Sequence, residues 1–79
     1  MNYSWKYRAI EEHQHHPDLG EYLTFGIEAW EETRYGWLNV NLIHDVTPEF
    51  EFAQTMTKKF NCFQLSPIHL KDVVEDMIF

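Results

Sequence analysis

Apolar and polar residues alternate along three stretches in the first half of the chain, over residues 3–9, 22–29 and 37–43. A repeat of two residues is typical of β-strands that bury one face and expose the other. The pattern therefore predicts three strands, each with one face turned toward a core.

The polar segments between these strands carry the residues that turns prefer. Residues 11–20 contain few apolar side chains and include Pro17 and Gly20, so we expect a flexible hairpin loop there. Residues 31–36 end in Gly36 and predict a second turn. Because short connections join neighbouring antiparallel strands, the three strands should form a meander.

Each strand is expected to direct one set of side chains toward the core. In the second and third strands this set comprises Leu23, Phe25, Ile27, Ala29, Leu38, Val40 and Leu42. Gly26 interrupts the second strand and predicts a bulge or a close approach of another group. The side chains of Tyr22, Trp30 and Trp37 are expected on the opposite face of the sheet.

A helical repeat replaces the alternation in the second half of the chain. Thr47 and Pro48 form a helix start, with Thr47 as N-cap and Pro48 at the first helical position. We expect a helix over residues 48–61 whose apolar face consists of Phe52, Ala53, Met56, Phe60 and Phe63. Ser66 and Pro67 repeat the start signal and predict a second helix, with an apolar face of Leu70, Val73, Val74 and Met77.

These elements predict an α+β fold, a three-stranded antiparallel meander followed by two helices in the order β-β-β-α-α. A chain of 79 residues has room for one core, so we expect a single domain over residues 1–79. Isolated helices of this length are marginal in water, and both should pack on one face of the sheet. The other face is then free to dock a partner. That expectation depends on Leu38, Val40 and Leu42 lying under the helices, and their exposure would count against it.

Charge and cysteine content narrow the classes of function. Six Lys and Arg against thirteen Asp and Glu give a net charge of -7, which opposes direct binding to nucleic acid or to an anionic membrane. Cys62 is the one cysteine, so no intrachain disulfide can form and we expect a reducing, cytoplasmic setting. No stretch approaches the roughly 20 apolar residues of a membrane span, and no signal peptide is expected.

Three histidines in the first connection, His13, His15 and His16, have the chemistry of metal ligands. Their spacing matches no specific zinc motif, and short His-rich segments bind divalent ions loosely. We therefore expect neither a dedicated metal site nor a cofactor.

A thiol- or metal-dependent active site would have to be built from His44, Cys62 and His69. Nothing in their spacing requires the three residues to meet, and cysteine is among the residues most often buried. We assign no catalytic residue and favour a non-enzymatic role, and enzymatic activity stays an alternative. Convergence of the three side chains in one cleft would support it.

Surface chemistry favours an interaction or regulatory module that binds a protein partner or a second copy of itself. Tyrosine and tryptophan are enriched at binding hot spots, and three such residues are expected on the uncovered sheet face. Asp72, Glu75 and Asp76 share the polar side of the second helix and suit a basic partner. A further alternative is an acidic inhibitor that mimics nucleic acid, for which the carboxylates would have to cluster on one surface.

Residues 65–76 read Leu-Ser-Pro-Ile-His-Leu-Lys-Asp-Val-Val-Glu-Asp, and residues 45–47 read Asp-Val-Thr. In these segments the chain resembles a family of small uncharacterised bacterial proteins, a domain of unknown function. That family has a Cys-Asn pair after its first helix, whereas this chain has Asn61 followed by Cys62. The resemblance implies no activity. It implies that the recognisable feature of the family comprises Ser66, Pro67, His69, Asp72, Glu75 and Asp76, and we include His69 with the three acids among the expected partner-binding residues.

Overall fold

The computed structural model describes residues 4–78, in which three strands precede a helical layer. The strands are β1 (Trp5–His16), β2 (Gly20–Thr33) and β3 (Gly36–Thr47). The helical layer consists of α1 (Phe50–Phe63), a short 3-10 helix (Pro67–His69) and α2 (Leu70–Ile78). The strands pair antiparallel in the order β1-β2-β3. The predicted α+β meander with two C-terminal helices is confirmed, whereas Tyr3, in the expected first strand, lies outside the described residues.

The hairpin of β1 and β2 is much longer than the sequence predicts. Trp5 pairs with Glu31 at one end, and His16 pairs with Gly20 at the other. The prediction of a flexible loop over residues 11–20 is wrong for residues 11–16, which belong to β1. Backbone pairing with β2 holds this polar segment in a strand, although its side chains show no apolar alternation.

The helices bury the middle of one sheet face. The core cluster contains Tyr7, Ile27, Ala29 and Val46 of the sheet together with Met56, Phe60, Leu70 and Val74 of the helices. Phe60 meets Tyr7 edge to face, with the ring centroids 5.5 Å apart. Phe63 was expected on the same face of α1 but is 79% exposed, because α1 ends there. The next residue, Gln64, has a left-handed φ of 51° and turns the chain away from the helix axis.

A bulge in β3 changes which of its side chains face the core. Val40 is an extra residue between two positions that pair with consecutive residues of β2. One inserted residue reverses the alternation, so Leu42 pairs with Glu28 on the face away from the helices and Ile43 packs against the core instead. Leu38 is 56% exposed, on a part of the sheet that the helices leave uncovered. The expectation that Leu38, Val40 and Leu42 face the core is therefore wrong.

The first helix begins later than the sequence predicts. Glu49 is the N-cap of α1, and Pro48 precedes the helix instead of opening it. Thr47 ends β3, where its Oγ1 accepts a hydrogen bond from the Glu49 N–H at 3.1 Å. Ser66 is the N-cap of the 3-10 helix, followed by Pro67 as predicted, but its side chain makes no capping hydrogen bond. No helix within residues 4–78 is long and apolar enough to cross a membrane.

Two side-chain amides from the C-terminal end of α1 lie along the outer edge of β1. Asn61 Oδ1 accepts a hydrogen bond from the Tyr7 N–H at 2.7 Å, and Asn61 Nδ2 donates to the Tyr7 carbonyl at 3.0 Å. Gln64 bonds the backbone of Trp5 in the same way. Its Oε1 accepts from the Trp5 N–H and its Nε2 donates to the Trp5 carbonyl, each at 3.0 Å. The two amides make the hydrogen bonds that a fourth strand would make, and we call them the amide edge cap.

Candidate functional site

The sheet face opposite the helices, which we call the free face, carries a row of aromatic and charged side chains. Directly paired residues of antiparallel strands point to the same face. Lys6 therefore lies beside Trp30, and Arg8 beside Glu28. Trp37, paired with Glu32 of β2, continues the row on β3. The structure thus places Trp30 and Trp37 on the face where the sequence analysis expected them.

Four of these residues line a shallow groove of about 200 Å³, which we call the aromatic groove: Lys6, Arg8, Trp30 and Trp37. The Lys6 ammonium nitrogen lies 5.7 Å from the centroid of the Trp37 ring, and the Arg8 guanidinium carbon lies 6.0 Å from that of Trp30. Both distances are within the range of cation–π attraction. Each cation is therefore held close to an indole ring, and Trp37 is 45% exposed.

The two cations of the aromatic groove differ in how far their charge is neutralised. Arg8 donates from Nε and Nη2 to Glu28 Oε1, at 3.0 and 2.8 Å. Glu28 Oε2 accepts a further hydrogen bond from Asn39 Nδ2 at 3.3 Å. Lys6 makes no ion pair with any residue in the range 4–78. The groove therefore offers a positive charge beside indole surface, although the chain as a whole is acidic.

The other end of the free face carries a polar network around a second irregularity of β3. Glu12 Oε2 lies 2.5 Å from His44 Nδ1, and Glu12 Oε1 accepts the backbone N–H of Asp45 at 2.8 Å. Asp45 has a left-handed φ of 51°. We call Glu12, His44 and Asp45 the bulge clamp, because the Glu12 carboxylate ties β1 to the irregular part of β3.

The Asp45 carboxylate is itself held by two hydroxyl groups. Thr24 Oγ1 donates to Asp45 Oδ1 and the Tyr22 O–H donates to Asp45 Oδ2, each at 2.7 Å. These two hydrogen bonds, that of Thr24 first, lower the pKa of Asp45 below its ordinary value. The hydrogen bond to Asp45 also raises the pKa of Tyr22. Both hydroxyls are thus occupied as donors, which suits a structural role.

Gly26 lies under the bulge clamp and leaves no room for a side chain. A Cβ at this position would lie 2.6 Å from Glu12 Oε1 and 2.6 Å from the carbonyl oxygen of Ile43. The predicted close approach at Gly26 is confirmed, and the β2–β3 register also shifts there.

The expected partner-binding residues do not form one surface. Tyr22 and Trp30 share the free face, but Trp30 is eight positions after Tyr22 in β2, about 26 Å at the usual rise per residue of a strand. The Tyr22 hydroxyl is engaged by Asp45 and takes no part in the aromatic groove. His69, Asp72, Glu75 and Asp76 are all exposed and lie in the helical layer, on the other side of the sheet.

The side chains proposed for a thiol or metal site lie on different sides of the sheet. His44 contacts Glu12 on the free face, whereas Cys62 and His69 belong to the helical layer and are exposed. Of the three histidines at the end of β1, His13 and His15 line a shallow pocket with Glu21. Among residues 4–78, no three His, Cys, Asp or Glu side chains come together as metal ligands.

The sequence analysis missed the charged half of the aromatic groove. Lys6 and Arg8 occupy the polar positions of the first strand, where charged side chains are usually only solvated. Their role follows from the register, which sets Lys6 opposite Trp30. Glu12 was missed for a different reason, because it was assigned to a loop.

Comparison with known proteins gives one result. No curated protein matches the chain. No solved structure matches it either. A model of the family of unknown function DUF6514 matches residues 1–79. The chain therefore belongs to DUF6514, a family of unknown function.

Proposed function

We propose that the protein is a non-enzymatic interaction module whose aromatic groove binds an acidic segment of a protein partner. The observation that carries the proposal is the pair of tryptophans on the free face, each with a cation close to its ring. Such a site offers an anionic segment a charge to neutralise and aromatic surface to bury.

The proposed docking surface is supported by the position of the helices and not by the orientation of the β3 side chains. Leu38, Val40 and Leu42 do not lie under the helices, so these residues give no support to an uncovered opposite face. The support comes instead from Met56, Phe60, Leu70 and Val74, which place both helices on the other side of the sheet. The aromatic groove lies on the free face whatever the orientation of those three β3 residues.

The charge distribution favours an acidic partner segment. The chain has six Lys and Arg, and two of them line this one groove. Glu28 is occupied by Arg8 and Asn39, so it leaves the Lys6 charge to a ligand. The net charge of -7 repels a polyanion as a whole, which favours a short acidic peptide segment over nucleic acid.

The first test is selection of random displayed peptides on the immobilised protein, followed by calorimetric titration of the enriched peptides. We expect them to share a carboxylate beside an apolar or aromatic residue, and to bind more weakly at high salt. Trp30→Ala should weaken binding at least about tenfold, and Lys6→Glu should weaken it as well. Tyr35→Ala removes an aromatic ring that is 92% exposed and outside the groove, and should leave the affinity unchanged.

Three outcomes would overturn the proposal. One is enrichment of basic peptides, and another is equal binding by Trp30→Ala when circular dichroism shows that the variant is folded. A third is tighter binding of oligo-dT than of the selected peptides in the same buffer, which would identify a site for single-stranded nucleic acid.

Three finer expectations belong to the same proposal. The acidic side of α2, with Asp72, Glu75 and Asp76, would be a second and separate surface for a basic partner. A cytoplasmic setting is supported by the single cysteine, Cys62, which leaves no intrachain disulfide. A bacterial origin is supported only by the resemblance of residues 65–76. The enzymatic alternative gains no support, since His44 is separated from Cys62 and His69 by the sheet. The nucleic-acid-mimic alternative stays a prediction.

A further inference from the structure

The two outer edges of the sheet differ in how they are protected. An edge strand presents unpaired N–H and C=O groups, which attract other strands unless side chains block them. On β1 the amide edge cap occupies Trp5 and Tyr7, as Asn61 and Gln64 bond their backbone groups. Farther along, β1 carries acidic residues and histidines, which also discourage pairing. The β1 edge is therefore protected by hydrogen bonds at Trp5 and Tyr7 and by polar side chains over the rest of its length.

Within its first half the β3 edge lacks the side-chain caps and charges that protect β1, and only the bulge at Val40 interrupts it. Residues 36–43 read Gly-Trp-Leu-Asn-Val-Asn-Leu-Ile, without a charge or a proline. Trp37, Leu38 and Val40 are 45%, 56% and 38% exposed. Within the described residues, the first side-chain cap on the backbone beyond Gly36 is at Leu42, whose N–H donates to Asn41 Oδ1 at 2.8 Å. A segment with these properties is a favourable place for strand addition.

We propose that this edge of β3 pairs with the same edge of a second copy, so that two three-stranded sheets form one six-stranded sheet. Antiparallel pairing about a two-fold axis is self-complementary, since each copy presents the same segment to the other. Two chains with a net charge of -7 repel each other, and the uncharged segment at residues 36–43 is where they can approach with the least repulsion.

The amide edge cap then limits the assembly to two copies. Pairing at β3 uses one edge of each sheet and leaves the two β1 edges outermost. Asn61 and Gln64 bond the β1 backbone at Trp5 and Tyr7, and the charged and histidine side chains farther along disfavour pairing there, so addition of a third copy is opposed. A closed dimer is the expected product, and an extended filament is not.

The test is sedimentation of the full chain between roughly 1 µM and 1 mM, a range that covers weak dimers. We expect the wild type to form a dimer, and Leu38→Lys to dissociate at least about tenfold more readily because it adds a charge to the pairing edge. Leu23→Lys is the matched control: Leu23 is a 42% exposed leucine in the central strand, and its substitution should leave the dimer intact. Val40→Lys repeats the test at a second position if Leu38→Lys does not fold.

Hydrogen exchange reports where the copies meet. In the dimer, backbone amides within residues 37–41 should gain protection as concentration rises, and Val40→Lys should lose that gain.

A monomeric wild type at the highest concentration would overturn the proposal. Assemblies larger than a dimer, or a Leu38→Lys dimer as tight as that of the wild type, would also overturn it. Trp30 lies in the central strand, so Trp30→Ala should weaken peptide binding without affecting dimerisation, which separates this proposal from that of the aromatic groove.

Discussion

Substitution of Gly26 by alanine tests the contact between β1, β2 and the irregular part of β3. The new methyl group would lie 2.6 Å from both Glu12 Oε1 and the Ile43 carbonyl oxygen, whereas ordinary contacts begin near 3.4 Å. The two groups must therefore withdraw by about 0.8 Å each. Glu12 Oε1 can move only by giving up the Asp45 N–H, and the Ile43 oxygen can move only with the backbone of β3.

The expected loss of stability follows from these two adjustments. Overpacking of this kind costs about 1–3 kcal/mol. Release of the Glu12 carboxylate from one partner adds about 1.5 kcal/mol, as is usual for a hydrogen bond to a charged group. Alanine regains about 0.5 kcal/mol by restricting the unfolded chain. We therefore expect Gly26→Ala to lower the free energy of unfolding by about 3 kcal/mol, a large share of the roughly 5–15 kcal/mol typical of a domain.

Urea denaturation followed by tryptophan fluorescence measures this loss, and thermal unfolding should show a melting temperature lower by roughly 12–24 °C. The same substitution in a Glu12→Ala background is the control. There it should cost about 1–2 kcal/mol less, because the carboxylate contact is gone while the Ile43 carbonyl remains. A loss below about 1 kcal/mol in the wild-type background would refute the reasoning, since it would mean that β3 is not held against Gly26.

Three further predictions concern the core and the edge. Phe60 is 4% exposed, and Phe60→Ala should cost about 3–5 kcal/mol in urea unfolding; a loss under about 1 kcal/mol would mean that the buried face of α1 is wrongly assigned. Burial raises the pKa of Tyr7 to about 12 from the 10.0 of an unfolded tyrosine, so its contribution to stability is complete below pH 10.0 and is lost as the pH rises toward about 12. Unfolding measured across that interval should fall more steeply with pH for the wild type than for Tyr7→Phe, and equal slopes would contradict the assignment. Asn61→Asp keeps the acceptor but loses the donor to the Tyr7 carbonyl, and should destabilise by about 1 kcal/mol, whereas Cys62→Ser at the neighbouring exposed position should be nearly neutral.

Element order was predictable because each element has a periodic apolar pattern where it meets the core. The stripe of Ala53, Met56 and Phe60 gave α1 its buried face. The β3 bulge was not predictable, because the inserted Val40 leaves Leu38, Val40 and Leu42 in a regular alternation in sequence while Leu42 turns to the free face in space. Residues 11–16 were missed since their strand is held by backbone pairing and not by an apolar side.

The candidate site was predictable only in part, because it depends on pairing between strands. Trp30 and Trp37 were assigned to the correct face from alternation within their own strands. Lys6 and Arg8 joined them only through the register, which no local pattern specifies. Similarly, His44 contacts Glu12, 32 residues away in the chain, which no local pattern around His44 indicates.

The amide edge cap has a consequence for synthesis on the ribosome. Asn61 and Gln64 lie 54 and 59 residues after the backbone groups that they bond. At ordinary translation rates, Gln64 is added to the chain roughly 3–12 s after Trp5. Between the addition of Thr33, which completes the β1–β2 hairpin, and that of Gln64, the nascent hairpin carries uncapped backbone groups on β1 that chaperones or a neighbouring nascent chain could bind. Termination before Asn61 would leave those groups uncapped permanently, so shortened products should be the most prone to aggregate.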